Sequence, residues 1–192
     1  MLTSALDLFV MQTALPEDVD LVADAETSRR PVLHGRLTFT YRSEGDRERH
    51  YCFRVISPTN AIAFQVRLKA AMTASGVDRG LKFRHLFIVR RDSLPGGPKT
   101  AQLVQAFQSA GGKIITPLDD DLRALIALRN LREEKHEGFP AWLRARRPLC
   151  GLALFEAAGL CGETNFDTAC EQSVTQSQGM ICTPLERLCP RW

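Results

Sequence analysis

The chain has no long apolar run. Its apolar runs, such as Leu86-Phe87-Ile88-Val89 between His85 and Arg90, are far short of the roughly 18–20 residues a membrane-spanning helix needs. Lys and Arg are missing before Arg29, and Met1 to Val10 carries Asp7 instead, so the basic start of a secretory leader is lacking. A cytoplasmic protein with no membrane partner is expected. Close cysteine pairs are lacking as well: there is no Cys-x-x-Cys and no Cys/His pair at ligand spacing. Structural zinc depends on such pairs to set its tetrahedral geometry. Five of the six cysteines (Cys150, Cys161, Cys170, Cys182, Cys189) fall after Leu149, in a stretch with little core-forming pattern, which is not how a secreted disulfide scaffold is built. Neither a metal nor a cofactor is expected.

Charge is divided unevenly. Residues 1–28 hold six acids and no base, and residues 150–192 hold five acids and two bases. The 23 Lys and Arg of residues 29–149 face only 11 Asp and Glu. Three regions follow: an acidic segment 1–28, a basic α/β domain 29–149, and a Cys-rich, loosely structured tail 150–192. A basic middle suits a phosphate-rich partner, although an Arg-rich solvated surface gives the same balance.

The first element is read from alternation. Leu33, Gly35, Leu37, Phe39 and Tyr41 fall on one side and His34, Arg36, Thr38, Thr40 and Arg42 on the other, which predicts a half-buried strand. Ser43-Glu44-Gly45-Asp46 supplies a turn, and Tyr51, Phe53 and Val55 resume the period, so a hairpin is expected. Ser57-Pro58 reads as a helix start, and Ala61, Phe64, Leu68, Ala71 and Met72 form a stripe ending near Gly76. Arg84 to Arg90 reads as a central strand covered on both faces. A helix capped by Thr100 carries Leu103, Val104 and Phe107 as far as Gly111-Gly112, and Lys113 to Thr116 is a short strand. Asp119-Asp120-Asp121 opens a helix to about Glu134, and a short helix spans Pro140 to Arg147. The expected fold is α/β, a small mixed sheet of order β-β-α-β-α-β-α in two or three layers, followed by a largely irregular tail. Thr164 to Gln178, rich in Thr, Ser and Gln, is expected to be loose.

Enzymatic motifs are sparse. Ser93-Leu94-Pro95-Gly96-Gly97-Pro98-Lys99-Thr100 ends like a phosphate-binding loop, but Pro98 stands where a glycine amide is required, and proline has none to offer. Glu44, Asp46, Glu48 and His50, followed by Gln65, Arg67 and Lys69, invite comparison with metal-dependent nucleases of the restriction-enzyme type. Those enzymes place an acid on one strand and acid-x-Lys on the next. No acid-x-Lys occurs in these strands, where Cys52 and Ile56 offer no hard oxygen ligand. There is no Gly-x-Ser-x-Gly turn, and His34, His50, His85 and His136 lack a triad context. His85 is read as packed and Cys52 as an inert thiol. What remains is basic: Arg29-Arg30, Lys82 with Arg84, Arg90-Arg91, and Arg144, Arg146 and Arg147 near Trp142. Ligands of α/β sheets gather at the carboxyl ends of parallel strands. Arg90, Arg91 and Lys99 are therefore the expected phosphate-contacting residues, joined by Arg144 and Arg147 unless these only flank a core tryptophan.

The segments RHLFIVRRDSLPGGPKT, FQSAGGK, DDDLRALIALRNL and WLRARRPL, within residues 84–149, resemble the carboxyl-terminal part of large bacterial ATP-binding proteins of the AAA type. Such proteins are linked to mobile elements or phage defence. The resemblance implies an accessory or detached piece of a DNA-associated ATPase system whose motor lies elsewhere, since this chain has neither a P-loop nor a Walker B strand. The expected function is a non-enzymatic binding domain that meets nucleic acid or a protein partner, an ATPase among them. The alternative is a nuclease-like enzyme with a degenerate metal site.

Overall fold

The alternation around Gly35 and Tyr51 does produce a hairpin. Strands β2 (Gly35–Tyr41) and β3 (Arg47–Val55) pair antiparallel, with Leu37 opposite Tyr51 and Arg36 opposite Cys52. The computed structural model describes residues 1–161. Within it, Met1–Leu160 forms one compact unit. Strand β4 (Arg84–Val89) lies parallel to β3, and β5 (Lys113–Ile115) lies parallel to β4. The two parallel steps are bridged by helices α2 (Ala61–Ser75) and α3 (Pro98–Ser109). The mixed α/β sheet expected from the sequence is therefore present.

Two elements come from the segment read as an acidic lead. Helix α1 (Leu2–Gln12) and strand β1 (Val19–Asp24) belong to the compact unit, and β1 pairs antiparallel with β2. The sheet thus has five strands in the order β1-β2-β3-β4-β5. Helices α4 (Asp119–Glu133), α5 (Phe139–Arg146) and α6 (Ala153–Ala158) complete the described chain. The unit continues past Pro148, because Leu149, Leu154 and Phe155 are buried and Phe155 stacks on Phe9 of α1 at 5.0 Å. The expected loose stretch from Thr164 to Gln178 lies outside the described residues.

Each face of the sheet has its own layer. Cys52, Leu86 and Ile88 bury against Phe64 and Leu68 of α2 and Val104 and Phe107 of α3. Burying each aliphatic side chain of this size contributes about 1.5–3 kcal/mol. On the opposite face α1 packs on β1 and β2 while α6 meets β5. Gly35 permits the close approach of α1, since a Cβ there would stand 2.3 Å from Leu6 Cδ1.

Helix starts depart from the sequence reading by a few residues. Asn60, not Ser57, caps α2, with its side-chain oxygen accepting from the Ala63 amide at 3.1 Å. Gly97 precedes the first residue of α3, and Thr100 is buried, where its hydroxyl accepts from Gln65 Nε2 of α2 at 2.9 Å. Among the described residues no helix is long and apolar enough to cross a membrane.

Candidate functional site

Parallel strands leave the carboxyl ends of β3, β4 and β5 side by side, and a cavity of about 560 Å³ opens there. Its floor is apolar, with Val55, Val89 and Leu125, and its polar groups include Ser57, Asp92 and Asp121. The sequence expectation placed Arg90, Arg91 and Lys99 at this end of the sheet. The structure gives the three residues different roles.

Arg90 is 3% exposed. Its Nη1 donates to the carbonyls of Ile56 and Pro58, both at 2.9 Å, and Nε and Nη2 donate to the Ser93 carbonyl at 3.1 and 2.7 Å. A guanidinium with four bonds to fixed carbonyls is a strut between the β3–α2 and β4–α3 loops, with little left for a phosphate. Arg91 is exposed and its Nη2 meets Asp119 Oδ1 at 2.6 Å, so its charge is locally balanced. Lys99 is exposed in the first turn of α3. Arg90 thus shapes the loops; Arg90 and Arg91 line the cavity, and Lys99 is not among its lining residues.

Arg144 and Arg147 stand elsewhere, at the end of α5. This eight-residue helix, FPAWLRAR, turns Phe139 and Leu143 inward and leaves Trp142 42% exposed, stacked on Phe139 at 5.9 Å. The tryptophan is therefore not the core residue that would have explained its arginine neighbours. Arg144 and Arg146 lie in the last turn, and Arg147 follows at φ +45°, an uncommon conformation for a residue with a side chain. All three are exposed, and none of them is in an ion pair among the described residues.

The acidic cluster of the hairpin turn is occupied locally. Arg47 pairs with Glu44 at 2.6 Å, and Asp46 sits at φ +59° in the turn. His50 Nε2 comes within 3.1 Å of Glu48 Oε2, in a geometry that lacks an aligned hydrogen bond. Among the described residues no group of three or more His, Cys, Asp or Glu is placed to hold a metal ion. Three histidines are held below their usual range. Burial is the main cause for each, seconded by Arg54 at His34, by Arg84 at His50 and by Arg49 at His85. His85 lies stacked on Tyr51 at 4.9 Å. Cys52 is a fully buried free thiol whose pKa is pushed up by that burial. Cys150 and Cys161, in contrast, are each disulfide-bonded, which the sequence reading did not expect.

One basic group escaped the sequence reading. Arg36 of β2 and Arg54 of β3 share the sheet face that carries α2, and Arg67 of α2 reaches the same neighbourhood. Burial and then Arg67 lower the pKa of Arg54, while Glu26 acts in the other direction. Nε of Arg36 and both Nε and Nη1 of Arg54 are buried without a hydrogen-bond partner. The adjoining cavity of about 300 Å³ is lined by Arg36 but also by Asp24 and Glu26, so its charge is mixed. The alternation that defined β2 already placed Arg36 on the polar side. Only the pairing of β2 with β3 and the position of α2 bring the three arginines near one another. No known protein family, curated protein or solved structure compared with this chain matches it.

Proposed function

We propose that this chain is a non-enzymatic nucleic-acid-binding domain acting as an accessory piece of a bacterial, DNA-associated ATPase system. The observation that supports it is the end of α5, where a half-exposed Trp142 shares one short helix with exposed Arg144 and Arg146, Arg147 follows at its end, and none of the three is in an ion pair among the described residues. An exposed aromatic face next to unpaired guanidinium groups is the combination that stacks bases and neutralises phosphates along a single strand. Basic residues at a helix C-terminus also favour the helix dipole. That effect gives no reason to leave a tryptophan half in water.

Binding of a fluorescein-labelled single-stranded oligonucleotide, followed by anisotropy across about 50–200 mM salt, tests the reading. Replacing Arg144 and Arg147 by Ala should flatten the log–log salt slope by about 1.4, at roughly 0.7 per phosphate contact on a single strand. Trp142→Ala should weaken binding by about 1–3 kcal/mol. Unchanged affinity and slope in the triple variant would remove α5 as the interface. Cleavage of the oligonucleotide that depends on added Mg²⁺ or Mn²⁺ would favour the nuclease-like reading instead.

A nucleic-acid partner places the protein in the cytoplasm. The disulfides at Cys150 and Cys161 point the other way, since reducing compartments seldom keep disulfides. Thiol titration of the protein taken from cells under alkylating conditions separates the two: reduced Cys150 and Cys161 support the cytoplasmic location.

A further inference from the structure

Helices cover a sheet by turning an apolar stripe inward and a charged one outward, and α2 does not follow this rule. Its inward side is Phe64, Leu68, Ala71 and Met72, all buried. Its outward side carries Ile62 and Val66, four residues apart and 72% and 62% exposed, with Lys69 and Thr73 continuing the same stripe. Neighbouring α3 adds exposed Ala101, Gln102 and Gln105, and the two helices are tied by the Gln65–Thr100 hydrogen bond. Neither helix contains a single Asp or Glu, while Arg67, Lys69 and Lys99 are all exposed. The wider sequence repeats this bias: residues 49–118 hold eleven Lys and Arg against Asp78 and Asp92 alone.

We infer that the outer face of α2 and α3 docks an acidic amphipathic segment of a partner protein. Exposed β-branched side chains at i and i+4 are the anchors that an apolar helix stripe meets. The cations around them, none in an ion pair among the described residues, call for carboxylates on the partner. A second copy of this chain is disfavoured as the occupant, because α2 against α2 or α3 brings Arg67, Lys69 and Lys99 together with no acid between them. Nucleic acid satisfies the cations but leaves Ile62 and Val66 with almost nothing to bury against. This surface is separate from α5 and does not depend on the nucleic-acid reading.

The test uses the full chain and two labelled 20-residue helical peptides with the same leucine stripe, one with Glu and one with Lys at the remaining charged positions. The Glu peptide should bind and the Lys peptide should not. Ile62→Ser with Val66→Ser should weaken binding at least about tenfold, and Arg67→Glu with Lys69→Glu should do the same. Circular dichroism melting of each variant should match the unaltered protein, as these side chains stand in solvent. Failure of the Glu peptide to bind, or binding indifferent to Ile62 and Val66, overturns the inference. Two other results would also overturn it. One is a concentration-dependent dimer in sedimentation that disappears in the Ile62/Val66 variant. The other is oligonucleotide binding lost in the Arg67/Lys69 variant while the Glu peptide stays unbound.

Discussion

The guanidinium carbon of Arg90 lies 5.4 Å from the centre of the Phe64 ring, so the residue that follows β4 is clamped beneath the first turns of α2. Its hydrogen bonds to Ile56, Pro58 and Ser93 tie together the β3–α2 and β4–α3 loops. Arg90→Ala leaves three carbonyls without these donors. Unfolding in urea should show a loss of about 2–3 kcal/mol, while the salt slope of oligonucleotide binding stays as it was. A changed slope with unchanged stability would make Arg90 a ligand contact after all.

Arg91 should behave in the opposite way. Its partner Asp119 and its own side chain are both well exposed, and exposed pairs contribute about 0–1 kcal/mol. Arg91→Ala is expected to leave the urea midpoint nearly unmoved, and a loss as large as that of Arg90→Ala would contradict the geometry.

Stability should fall on mild acidification. His34 Nδ1 accepts a hydrogen bond from the Val55 amide at 3.1 Å, and burial holds its pKa below the usual 6.5. The unfolded chain therefore takes up the proton first as the pH falls, and stability is lost from about 6.5 downward until the folded-state pKa is passed. His50 and His85 are shifted in the same direction and add to the slope. Urea titrations at pH 7.5 and 5 should show the drop, and His34→Asn should reduce it. A flat profile would mean that these rings are already solvated.

Gly112 is expected to be the least replaceable glycine of the parallel half of the sheet. A Cβ there would stand 1.9 Å from Phe107 Cε2, a ring that is fully buried among α2, α3 and β4 side chains. Gly112→Ala should cost about 1–3 kcal/mol by overpacking. Gly96→Ala, with open space around it, should melt as the unaltered chain does.

Much of the framework was legible because it is local. Period two in Leu37, Phe39 and Tyr41 marks a strand with one buried face whatever surrounds it, and the run from Leu86 to Val89 is apolar because both of its sides are buried. The apolar spacing of Phe64, Leu68, Ala71 and Met72 likewise sets the inward face of α2 before any partner is known. Other features are decided by residues far apart in the chain. The acids of residues 1–28 marked an acidic segment apart from the basic domain, yet Asp20 and Asp24 sit on the outward side of an edge strand whose other side, Val19 and Leu21, is buried. Helix α1 is held across the fold by bonds no local pattern reveals, such as that from the Leu149 amide to Gln12 Oε1 at 3.2 Å. Arg90 and Arg144 look alike in sequence, as bases following an apolar run. Three carbonyls brought together by chain crossings bury the first, and the end of a short helix leaves the second in water. Composition determined that this protein is basic in its middle, whereas tertiary structure decided which of those cations remain free to meet a partner.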